Sequence, residues 1–171
     1  MIRKAQQGNK IAIRRLYEQH ESYWFRICLR YGRNRTDAQD IFQEGVGKVF
    51  QVLDQFDEAR GSFEAWSNRV IVNEALKYLK KNQWQASFEE LENIEPEVEW
   101  PLEEGPDISA KALTQMIQQL PFGYRVVFNM YEIEGYTHRE IATYLGISVG
   151  TSKSQLSKAK RTLQQQLKQL F

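Results

Sequence analysis

The chain has 171 residues, 42% of them hydrophobic, which is enough to bury a core and falls between one ordinary domain and two compact ones. Its net charge of +1 conceals three blocks: residues 1–81 carry 15 Lys/Arg against 10 Asp/Glu, residues 82–109 carry none against 9, and residues 110–171 carry 8 against 3. Two basic lobes around an acidic strap favour a polyanionic partner, while the single Cys28 excludes a disulfide framework and a cysteine zinc site within the chain. With no signal peptide and no apolar run of bilayer length, no membrane insertion and a cytoplasmic location are expected.

Helical periodicity runs along nearly the whole chain and strand-like alternation does not, so the expected fold class is all-α. Amino-terminal helices are predicted over 9–19, 21–32, 36–54 and 62–82. Cys28 lies among Trp24, Ile27 and Leu29 and reads as a small buried hydrophobe; His20 and His138 read as surface residues. Thr36 with Gln39 is the expected cap of the third helix. On that helix Asp37, Asp40 and Glu44 have the spacing of one acidic face, open to a basic partner or simply solvated. A carboxylate metal site lacks a nearby His or a second acidic helix, so no metal is expected. Gly45 and Gly47 interrupt the same helix, each at a cost of up to about 1 kcal/mol relative to Ala. Either a neighbouring helix approaches closely there or the lobe is weakened.

The segment FDEARGSFEAWSNRVIVNEALKYLKKN, residues 56–82, starts a helix at Gly61 and Ser62, with Ser62 as its cap. Phe63, Trp66 and Val70 form an apolar stripe, and Arg69, Asn73, Lys77, Lys80 and Lys81 recur at spacings that gather them on one face. A basic stripe beside aromatic rings suits melted or single-stranded DNA; a solvated helix face is the other reading. From Asn82 the helical pattern breaks, and three of the four prolines, Pro96, Pro101 and Pro106, fall in Glu-rich sequence that reads as a linker. The expected organisation is a domain over 1–81, an acidic linker over 82–108 and a domain over 109–171.

Carboxyl-terminal helices are predicted over 109–119, 121–134, 137–145 and 148–169, with Pro121 where a first-turn proline is tolerated. The run THREIATYLGISVGTSKSQLSKAK, residues 137–160, has the layout of a helix-turn-helix. Thr137 and Glu140 can form a capping box, Gly146 can take the left-handed conformation that ends the first helix, and Ser148 can cap the second. On the second helix Val149, Leu156, Ala159, Leu163, Leu167 and Leu170 supply an apolar side, which leaves Lys153, Ser154, Ser157, Lys158 and Arg161 elsewhere on the helix. Such a motif also serves as a packing unit or a protein-binding module. No nucleophile, base or phosphate loop is arranged for catalysis, so neither an enzyme nor a cofactor is expected.

The runs DAQDIFQE (37–44), LDQFDEARGSFEAW (53–66) and LGISVGTSKSQLSKAK (145–160) together resemble the extracytoplasmic-function (ECF) group of sigma-70-type sigma factors. The resemblance spans most of the chain. It implies a subunit that binds core RNA polymerase and directs promoter recognition, strand opening and transcription initiation. By position it implies docking of Asp40, Gln43 and Glu44 on the clamp helices of the largest polymerase subunit. It implies reading of the −10 element by the helix from Ser62, with Asn73 contacting a flipped base, the loop 57–62 forming part of the pocket, and Arg69, Lys77, Lys80 and Trp66 alongside. It implies reading of the −35 element by Lys153, Ser154, Ser157 and Lys158, with Thr151 close to the backbone. Ser152 and Gln155 depart from the family's usual Val and Arg, which is expected to loosen packing and remove a phosphate contact. The linker, with Trp84, Phe88 and Trp100, would thread the RNA channel as a polyanion mimic or act as a plain tether. The implied partners are core polymerase, promoter DNA and an anti-sigma factor, and in the free protein the two basic lobes would be held by each other or by that anti-sigma partner. The alternative is an autonomous helix-turn-helix regulator.

Overall fold

The computed structural model describes residues 1–82 and 110–170, so the acidic linker and its Trp84, Phe88 and Trp100 lie outside the described residues. Among the described residues every regular element is helical, and no helix is long and apolar enough to cross a membrane. The chain divides into two compact units, Met1–Tyr78 and Leu79–Phe171.

The first unit opens with a short helix that periodicity did not predict, α1 (Ile2–Gln6), followed by α2 (Lys10–Tyr31). The Asn9 side chain caps α2 by accepting the Ala12 N–H at 3.0 Å. One 22-residue helix replaces the two expected over 9–32. Nothing around residue 20 breaks a helix, and the His20 Nδ1–H donates to the Leu16 carbonyl at 2.9 Å. Helix α3 (Arg35–Gln51) starts one residue before the expected cap Thr36, because Asn34, in extended conformation, accepts the Asp37 N–H at 2.9 Å. Two 3-10 turns, Leu53–Gln55 and Glu58–Arg60, lead into α4 (Phe63–Lys81). Leu16, Trp24, Ile27, Cys28, Tyr31, Ile41, Val49, Ile71 and Val72 are essentially fully buried. Burial of each large aliphatic side chain is worth about 1.5–3 kcal/mol. It also pushes the Cys28 thiol up to about 12, which keeps it an inert core residue. The Trp24 indole N–H is satisfied by Ser67 Oγ at 3.0 Å.

The two helix glycines separate into the two cases that the sequence left open. A Cβ on Gly45 would stand 3.3 Å from Ile71 Cγ1, so α4 passes close to α3 at that point. A Cβ on Gly47 would meet nothing within 4 Å, so that glycine weakens α3 without a packing return.

The second unit holds α5 (Ala110–Gln119), α6 (Phe122–Phe128), α7 (His138–Leu145) and α8 (Val149–Leu170). The helix expected over 121–134 changes pitch, since Asn129–Ile133 forms a wide π turn in which the Glu134 N–H reaches the Asn129 carbonyl at 3.0 Å. Buried Arg125 donates to the Gln118 carbonyl at 2.9 Å and so ties α6 back to the end of α5. Val126, Val127, Met130, Ile141, Leu156, Ala159 and Leu163 form the core from which α7 and α8 project.

Candidate nucleic-acid interface

The exposed segment Asp57–Ser62 is pinned at both ends by its own chemistry. Asp57 Oδ1 accepts the Ala59 N–H at 2.9 Å, and Gly61 turns the chain at φ +147°, a conformation that L side chains rarely adopt. Ser62 Oγ then accepts the Ala65 N–H at 3.2 Å and caps α4. The Phe56 ring lies 5.4 Å from both Phe63 and Trp66, so an aromatic cluster anchors the loop on each side. His20 belongs to this cluster rather than to the surface: its ring stacks on Trp24 at 5.4 Å and meets Phe63 edge-on at 5.1 Å. Its Nε2 stands 3.4 Å from Glu64 Oε1. Glu64 in the first turn of α4 is held below the usual carboxylate range, first by its own backbone N–H and then by His20.

Along α4, Arg69, Lys77 and Lys80 are exposed, while Trp66 and Asn73 are half-buried. Lys77 donates to Glu74 Oε1 at 2.7 Å, with its own side chain 67% exposed. The partner carboxylate of Glu74 is only 15% exposed, so the pair is open to water on the lysine side alone. On α3, Asp40, Gln43 and Glu44 are exposed, and Asp37 is half-buried. The Tyr78 hydroxyl of α4 is shared between Asp37 Oδ1 at 3.3 Å and Asp40 Oδ2 at 3.2 Å. Burial and the two carboxylates push the phenol up to about 12, so it stays a neutral donor at ordinary pH. Sequence reasoning missed Tyr78, since its partners are 38 and 41 residues away and no local pattern points to them.

The helix-turn-helix has its expected joints. Thr137 Oγ1 accepts the Glu140 N–H at 3.3 Å and Glu140 Oε2 accepts the Thr137 N–H at 2.8 Å. That bond to Thr137 holds the Glu140 carboxyl below its usual range. Gly146 is left-handed at φ +68°, and the Ile147 N–H returns to the Ala142 carbonyl at 3.1 Å. Ser148 Oγ accepts the Thr151 N–H at 2.9 Å and caps α8.

Along α8 the candidate residues divide. Lys153 is exposed, Thr151 is half-buried, and half-buried Lys158 places its Nζ 6.0 Å from the centroid of the Tyr124 ring. Ser154 and Ser157, expected to face outward, are each only 6% exposed. Periodicity correctly sets them apart from Leu156, Ala159 and Leu163, but it says nothing of a second covered side. Ser152 is fully buried, and its Oγ lies 2.9 Å from His138 Nδ1. The His138 ring in turn stacks on Tyr131 at 4.5 Å. The hydroxyl thus joins the two helices by a hydrogen bond at the position where loosened packing was expected, and His138 is a joint rather than a surface residue. Lys160 reaches Glu132 Oε1 at 2.8 Å and ties α8 to the π turn.

Sigma-70 region 2 matches residues 16–85, and Sigma-70, region 4 matches residues 110–163. The RNA polymerase sigma-H factor of Pseudomonas aeruginosa is 25% identical over all of this chain and 94% of its own length. The ECF RNA polymerase sigma factor SigW of Bacillus subtilis is 26% identical over 99% of this chain and 96% of its own. The ECF RNA polymerase sigma factor SigE of Mycolicibacterium smegmatis is 27% identical over 89% of this chain, which spans 60% of that protein. Among solved structures, CnrH in complex with the cytosolic domain of CnrY aligns over 98% of this chain and 95% of its own at 21% identity, with a TM-score of 0.49.

Proposed function

The chain belongs to the sigma-70 family, and on that premise we propose that it acts as a factor of the ECF group, which binds core RNA polymerase, recognises a promoter at two elements and opens the strands for initiation. The observation that carries this reading is the order and completeness of the match: a region 2 unit and a region 4 unit in one chain, each with the helices its task needs. A helix-turn-helix regulator has no use for the first.

The exposed carboxylates Asp40 and Glu44, with Gln43 between them, supply α3 with an acidic face for the clamp helices of the largest polymerase subunit. Arg69, Lys77 and Lys80 on α4 suit phosphates, which position a strand without specifying its sequence. Asn73 offers both donors and an acceptor to the edge of an extruded base, and Trp66 with the Asp57–Ser62 loop would border that pocket. On α8, Lys153 and Lys158 are proposed contacts with the −35 element, and Thr151 with its backbone. Ser154 and Ser157, each only 6% exposed, are not proposed as contacts in the conformation described. An anti-sigma partner is the proposed holder of the two basic lobes before polymerase takes the chain.

Run-off transcription with purified core polymerase tests this directly. Promoter-specific transcripts should require both the chain and core enzyme. Tight binding to duplex promoter by the chain alone, with no initiation on core, would replace the reading with that of an autonomous regulator.

A further inference from the structure

The loop proposed to border the base pocket is exposed from Asp57 to Ser62, yet its entry is fastened from a distant part of the chain. Half-buried Gln6, on α1, directs its side-chain Nε2 at two backbone carbonyls, Leu53 O at 3.0 Å and Phe56 O at 2.9 Å. These partners lie 47 and 50 residues away. A primary amide has two N–H donors in a fixed fork, and two converging carbonyls accept both. The Leu53 carbonyl also accepts the Phe56 N–H at 3.2 Å, so the 3-10 turn and the Gln6 clasp meet on one atom. Beyond Phe56 its ring enters the cluster with Phe63 and Trp66, which fixes where the exposed loop begins. An outer contact, Arg3 to Glu58 at 3.7 Å, runs from the same helix to the loop itself, though both side chains are too exposed for it to hold much.

We propose that Gln6 is a positioning residue for the −10 pocket: through its two bonds α1 sets the height and direction from which the loop 57–62 meets the extruded base. This rests on the promoter-opening function proposed above. It explains why a five-residue helix, too short to persist by itself, is packed against α2 and against the turn ahead of the loop. Gln6 touches no DNA in this account. It acts only through the backbone between Leu53 and Phe56.

Two variants separate donor chemistry from size. Gln6→Glu keeps the shape but sets carboxylate oxygens against the carbonyls, whereas Gln6→Lys supplies N–H donors on a stem long enough to reach them. In the free full-length chain, amide exchange at Phe56, Ala59 and Arg60, whose N–H groups are hydrogen-bonded, should quicken roughly tenfold in Gln6→Glu and stay near wild type in Gln6→Lys. With core polymerase, preference among non-template oligonucleotides that differ only at the extruded base should fall roughly fivefold or more in Gln6→Glu and persist in Gln6→Lys. Affinity for core should be equal in all three proteins. Unchanged loop exchange in Gln6→Glu overturns the proposal, as does faster exchange with undiminished base preference. A parallel loss of core affinity would mark general damage to the unit and also overturns it. If wild-type chain shows no base preference with core, the proposed function itself falls; the exchange measurement, which needs no polymerase, tells that failure from a failure of the clasp.

Discussion

Asn73 is half-buried on α4 between exposed Arg69 and exposed Lys77, a placement that suits a residue serving an extruded base rather than bulk solvent. Asn73→Ala should impair strand opening or −10 preference by roughly tenfold, the scale of one or two lost hydrogen bonds to a base edge, and leave core binding unchanged. Titration of labelled core polymerase, run beside an opening assay on the same preparations, checks both halves; an equal loss in each would make the residue structural. Tyr78 and the His138–Ser152 pair act at the same scale. Each joins residues from different helices by a single hydroxyl, at 3.2–3.3 Å to the carboxylates and at 2.9 Å to the imidazole. Spacing rules that work within one helix could not have found them.

Helix α3 carries an avoidable weakness that can be measured. Gly47→Ala should stabilise the first unit by up to about 1 kcal/mol, because the new methyl meets open space and the unfolded chain loses freedom. Gly45→Ala should gain less or destabilise, since Ile71 stands 3.3 Å from the added carbon and must move. Denaturant unfolding of the two variants decides it, and equal gains would contradict the close approach of α4. The helix starts make a second prediction. Glu64 and Glu140 are held below their ordinary value of 4.5, so each favours the fold while ionised. That contribution is present above about pH 4.5 and is lost as the pH falls through the lowered folded values. Glu140→Gln should therefore flatten part of the acid limb of the unfolding profile; an unchanged limb would show that the capping box carries no such linkage. The joints of the helix-turn-helix were legible because Thr137, Glu140, Gly146 and Ser148 act on neighbours within a few residues. The continuity of α2, the π turn after α6, the burial of Ser154 and Ser157, and the Gln6 clasp were not. Each depends on what packs against a helix rather than on the helix's own period.

Across the whole molecule, a net charge of +1 conceals a division of labour that only the block pattern reveals. The Lys and Arg side chains along α4 and α8 should make promoter binding strongly salt-dependent. Replacing exposed Lys153 by Ala should lower the slope of log affinity against log salt by roughly one per lost phosphate contact. The slope for the isolated −10 strand should stay as it was. On the proposed function, one chain lends core polymerase both recognition and melting. Permanganate reactivity of unpaired thymines on a promoter fragment measures that melting. Reactive thymines near −10 should appear when core polymerase and this chain are mixed, with neither component alone sufficient. A footprint that stays fully paired with both present, on a fragment the mixture demonstrably binds, would contradict it.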